Sequence, residues 1–113
     1  MITHIKHDNF ETGKILQTKS INTATELTKF NLWIWKIMAR HKAQDWGDLT
    51  DDDIKSNNEA LQTGERILSS YNMPKGMNQE LKNNGLVQNS DTKVWIITER
   101  DRAYTTILFP SEY

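Results

Sequence analysis

The chain has no cysteine, which excludes disulfides, thiolate zinc centres and a cysteine nucleophile. It holds two prolines and five glycines in 113 residues, so breaks between elements fall at few places. No apolar run nears the ~20 residues that span a bilayer. The N-terminus lacks the apolar core of a signal peptide. No membrane and a cytoplasmic location are therefore expected. A surplus of one charge is lacking as well: 14 basic against 15 acidic side chains leave a net charge of −1. A general nucleic-acid binder carries a basic surplus to neutralise phosphates, so the balance argues against that partner. There is no Gly-rich phosphate loop and no Gly-x-Ser-x-Gly elbow. No cofactor is expected.

What is present suffices for one domain over residues 1–113, with one core. Four Trp, three Phe and three Tyr, with 36% hydrophobic residues, argue for a folded protein. Residues 1–13, with His4 and His7, read as a polar lead-in. Residues 14–21 read as a short first strand. Thr23-Ala-Thr-Glu26 has capping-box spacing and predicts a helix over residues 25–42. Leu27, Phe30, Ile34, Ile37, Met38 and His41 form its apolar stripe. Leu32, Trp35 and Ala39 lie on a different face, which predicts a cover or a second contact surface. Gly47 breaks the chain. Thr50 or Asp51 caps a second short helix that Gly64 stops. Strands follow at 66–71, 93–99 and 103–109, the last two as a hairpin turning at Arg100-Asp-Arg102. Residues 72–92 read as a flexible polar insertion, within which residues 78–83 could make one or two helical turns. The expected fold is α+β: a small antiparallel meander of three to four strands packed against one long amphipathic helix, plus the second short helix.

From Arg40 onward the sequence resembles a family of short bacterial proteins carried on plasmids and phages, the plasmid-related proteins of unknown function. The matching residues are Arg40-His41, Asp45-Trp-Gly-Asp48, the acidic run Asp51-Asp-Asp53 with Asn57 or Asn58, and Gly64, Arg66, Ser69 and Tyr71. The closing signature is Trp95-Ile-Ile-Thr-Glu99, Asp101, Arg102, Thr105, Thr106, Pro110, Glu112 and Tyr113. The resemblance implies a mobile-element origin and no particular activity. Arg100 and Ala103 depart from its pattern, and residues 72–92 exceed the expected link.

Two clusters of polar residues invite a functional reading. His41 and Asp45, four apart, could share a helix face for metal ligation or acid–base pairing. The plainer reading is a helix C-terminus with a partly buried His and a capping Asp. Two ligands do not make a metal site, so no metal is expected. Glu99, Asp101 and Arg102 could form a catalytic cluster or a salt-bridged turn. Residues 80–87 and 93–97 loosely resemble the helix and wing of a winged-helix DNA binder, against which the net charge speaks.

The leading expectation is a non-catalytic mobile-element accessory protein that binds and inhibits a host protein. Its contact residues would be drawn from Leu32, Trp35, Asp45, Trp46, Asp48, Asp101 and Arg102. A homodimer is the other arrangement considered. The alternatives are a small metal-independent RNase or toxin-like enzyme using His41, Glu99 and Arg102, and a nucleic-acid-binding regulator.

Overall fold

The computed structural model describes residues 9–113; His4 and His7 lie outside them. Nine elements follow in order: β1 (Lys14–Gln17), α1 (Lys19–Ala24), α2 (Thr28–Lys42), α3 (Asp51–Thr63), β2 (Ile67–Asn72), α4 (Met77–Asn83), β3 (Lys93–Thr98), β4 (Tyr104–Leu108) and a closing 3-10 turn (Pro110–Glu112). The fold is α+β, as the sequence predicts.

The four strands form one sheet in the order β1-β4-β3-β2. The expected meander is present: β2 pairs antiparallel with β3, and β3 with β4. β1 joins on the far side of β4 but runs parallel to it, with Lys14 opposite Tyr104. The sheet is therefore mixed rather than antiparallel throughout. Parallel pairing needs a long connection, and here everything from α1 through β3 lies between β1 and β4.

The first strand is shorter than residues 14–21, and a separate helix takes its second half. Thr18 is still extended, as an N-cap is, and its hydroxyl accepts from the Ile21 N–H at 3.2 Å. That cap lets α1 carry Ile21 and Ala24 into the core at 0% exposure. The capping box at Thr23 and Glu26 does not form. α2 instead starts at Thr28, with Leu27 as an N-cap that makes no side-chain bond. The α3 assignment holds: Thr50 accepts from the Asp53 N–H, and Gly64 closes the helix at φ +82°. The positive φ is what glycine supplies there without strain.

The main core lies between one sheet face and helices α1, α2 and α4. Tyr71, Val94, Ile96 and Ile107 face Ile21, Phe30, Ile37 and Leu81. A smaller core of Trp46, Ala60 and Ile67 seats α3 beside β2. Residues 72–92 are more than a polar insertion, because Met77, Leu81 and Val87 belong to the main core. Alternation puts Leu16, Leu68, Trp95, Ile97, Tyr104 and Leu108 on the opposite sheet face. There Tyr113 packs edge-on against Trp95, with ring centroids 5.7 Å apart. No helix among the described residues is long and apolar enough to cross a membrane.

Candidate functional site

His41 sits inside the molecule rather than at a surface. It is 0% exposed, and the rings of Phe10 and Trp46 stand 5.3 and 5.8 Å from its own. Its Nδ1 meets the Ser69 hydroxyl at 2.5 Å and its Nε2 meets Thr98 Oγ1 at 2.8 Å. Thr98 in turn meets Thr105 at 2.7 Å, and Thr105 donates to the Thr12 carbonyl at 2.7 Å. That carbonyl can only accept, which fixes the direction of the whole chain. Thr105 spends its one proton on Thr12, so it accepts from Thr98. Thr98 then accepts from His41, which must carry its proton on Nε2. Nδ1 is left to accept from Ser69. Burial pushes the His41 pKa down to about 3, because no water reaches the charged form. A neutral histidine held this way is a structural hub.

Asp45 is not its partner. Its carboxylate takes both a 2.7 Å and a 3.3 Å bond from the Arg40 guanidinium, which holds the carboxyl below its ordinary pKa. It also accepts from the Gly47 N–H. Its backbone carbonyl accepts from the Tyr71 hydroxyl at 2.7 Å, and burial raises that phenol's pKa. The segment thus pins the end of α2 to β2. Gly47 must be glycine, since a Cβ there would strike the Ser70 carbonyl and the Tyr71 ring. Trp46, which the sequence offers both as core bulk and as a contact residue, is core at 3% exposure; its indole N–H donates to Asn58. Asp48 is exposed and accepts from the Asn72 N–H at 2.9 Å.

Glu99, Asp101 and Arg102 make no ion pair with one another among the described residues. Arg102, at φ +60°, gives its guanidinium to the carbonyls of Ala60, Glu65 and Glu99 at 2.9, 2.6 and 3.1 Å. It caps the C-terminal end of α3 and ties the β3–β4 turn to it. Asp101 is exposed and accepts from the Ala103 N–H. The trio of the alternative enzyme reading does not share an open site: His41 is sealed, and Phe10 contacts both His41 and Arg102. β3 lies between β2 and β4 in the sheet rather than projecting as a wing. No group of three or more metal-ligating side chains occurs among the described residues.

Leu32 and Trp35 do lie where the helical spacing put them. They are 64% and 72% exposed on α2, the two most exposed large hydrophobics on any helix. Trp35 and Ala39 border a groove of about 500 Å³ whose apolar walls are Ile15, Ile34, Met38 and Ile107, with Asn9 and Lys42 also lining it. Ile15 and Ile107 come from the sheet, so sequence spacing along α2 alone could not find this groove. The three regions named from sequence remain apart: Leu32 and Trp35 on α2, Asp45 and Asp48 beside β2, Asp101 and Arg102 at the hairpin turn.

A second concavity, about 560 Å³, opens on the other sheet face between α3, Arg66, Lys93, Trp95 and Tyr113. At its wall the Ser70 hydroxyl is buried with no hydrogen-bond partner among the described residues. Comparison with protein-family models, curated proteins and solved structures yields no match.

Proposed function

We propose that the protein is a non-catalytic accessory factor of a mobile genetic element, which binds a host protein in the cytoplasm and blocks it. The exposed pair Leu32 and Trp35 carries this reading. An exposed aromatic near an exposed aliphatic side chain, with the aromatic bordering a largely apolar groove, has the composition of an interface centre. The resemblance in residues 40–113 supplies the mobile-element context. The burial of His41 removes the group on which the acid–base alternative leaned.

The test is affinity capture from bacterial lysate with the wild-type chain and with the double variant Leu32→Ser, Trp35→Ser. Both positions are exposed, so the variant keeps the far-UV circular dichroism of the wild type. The expected result is one host protein retained by the wild type, lost by the variant, and inhibited by the purified wild type. A variant that captures and inhibits as well as the wild type overturns the reading.

A further inference from the structure

The two edges of the sheet are finished differently. At β2 every outward N–H has a partner. Asn57 accepts from the Leu68 N–H at 3.3 Å and donates to its carbonyl at 2.7 Å, as a neighbouring strand would. Ser70 donates to the Trp46 carbonyl and accepts from the Asp48 N–H. The Asp48 carboxylate then takes the Asn72 N–H. An edge treated this way cannot accept another strand.

Among the described residues, the β1 edge has no such treatment. Lys14 donates to Ala103 and Thr18 to Ile107, so even-numbered residues of this stretch turn toward β4. Ile15 and Gln17 therefore point their N–H and C=O groups outward, and no described residue meets them. All four residues of β1 are exposed, Ile15 at 42% and Leu16 at 39%. The groove beneath Trp35 runs directly beside this edge, because Ile15 lines it.

Charge selects the occupant. α2 carries Lys29, Lys36, Arg40 and Lys42 and no carboxylate. Lys29 and Arg40 are paired with Glu80 and Asp45. Lys36 and Lys42, with Lys14 on the strand, have no ion pair among the described residues. We propose that this edge receives an extended, acidic segment of the partner protein. The segment pairs with Ile15 and Gln17 and seats an apolar side chain in the groove beside Trp35. A second copy of the chain would bring these lysines face to face, which the charge opposes. The inference rests on the binding reading above and adds the mode of contact and the chemistry of the partner.

The probe is a short blocked peptide of alternating glutamate and valine, titrated into the isotope-labelled full chain, with a lysine–valine peptide as control. The glutamate peptide is expected to shift the amide signals of Ile15 and Gln17 and slow their hydrogen exchange. The lysine peptide is expected to bind about tenfold more weakly or worse. Gln17→Pro removes an N–H that points away from β4 and leaves α2 untouched, so the chain stays folded; it is expected to weaken binding by about tenfold. Trp35→Ser is expected to do the same through the groove. Absence of binding, equal binding of the two peptides, or indifference to Gln17→Pro overturns the proposal. So does a wild-type dimer that Gln17→Pro dissolves, which assigns the edge to a second copy. If the host protein captured above is lost by the Leu32, Trp35 variant but kept by Gln17→Pro, strand addition fails while the binding reading stands. If neither variant loses it, both fail.

Discussion

His41 shows how a residue type with many chemical uses is assigned by its surroundings. In sequence it stands four residues from an aspartate, a spacing compatible with catalysis. In the fold its neighbours are Ser69, Thr98, Phe10 and Trp46, all neutral. Protonation would place a second donor at Nδ1, against a Ser69 hydroxyl that already donates there. The unfolded chain takes up that proton near pH 6.5, whereas the folded chain does so only near pH 3. The unfolded state therefore binds more protons between those values, and stability falls as pH falls through that window. It is fully present above the unfolded pKa. The slope from this one group is about 1.4 kcal/mol per pH unit. Urea unfolding across this window should show it, and His41→Gln, less stable at neutral pH, should show a shallower acid decline. Equal slopes for the two proteins would sink the assignment. Arg102 makes the same point with a different group: a guanidinium at a turn reads as a catalytic or ion-pairing residue, yet its bonds go to three backbone carbonyls.

Among the elements, α2 was the most legible, whereas α4 was legible only as one or two helical turns over residues 78–83 and not as part of the core. Phe30, Ile34, Ile37, Met38 and His41 recur at helical spacing, and all are buried. Residues 77–83 hold only Met77 and Leu81 as large apolar groups, four apart, in a polar stretch. Two residues give too little periodicity to announce a core helix. Both are nonetheless buried, Leu81 at 0% exposure, because α4 contributes them to the main core. Leu81→Ala should thus cost ~2–5 kcal/mol in chemical unfolding, as deletion of a fully buried leucine does. Gln79→Ala on the exposed side of the same helix should stay within about 0.5 kcal/mol. An effect of Leu81→Ala as small as that of Gln79→Ala would mean that residues 72–92 are a removable insertion after all. Separation of α1 from α2 is also an element-scale effect. Thr18 offers a cap seven residues before Thr25, and burial of Ile21 and Ala24 rewards its use.

For the molecule as a whole, the asymmetry of the sheet edges organises what can approach it. β2 is closed by a helix side chain and a loop, whereas no described residue covers β1, which lies beside an exposed tryptophan. Asn57 is the device that closes β2 at Leu68, and its burial to 6% exposure makes both of its bonds matter. Asn57→Ala leaves the Leu68 N–H and C=O unpaired, at a cost of ~1–3 kcal/mol. It also gives the molecule a second open edge, so self-association at high concentration should rise. Urea unfolding and sedimentation velocity check both parts. A variant as stable and as monomeric as the wild type would show that Asn57 does not guard the edge.

The amino-acid sequence by itself determined the α+β class, the β2–β3–β4 meander and the two faces of α2. These follow from short-range facts: β-branched runs, 3.6-residue spacing, and caps at Thr50 and Gly64. It also determined that Leu32 and Trp35 lie off the core stripe, since that is a matter of angle along one helix. The tertiary structure alone decided that β1 lies parallel to β4, that His41 is sealed, and that Arg102 serves α3. It alone set Ile15 and Ile107 beside Trp35 to make the groove. Each of these joins residues distant in the chain, such as Thr12 with Thr105 or Ala60 with Arg102, and no local pattern records such a pairing. Whether a histidine is exposed, or an edge open, depends on what the rest of the chain brings to it. Burial and hydrogen-bond satisfaction are properties of the packed whole rather than of any segment.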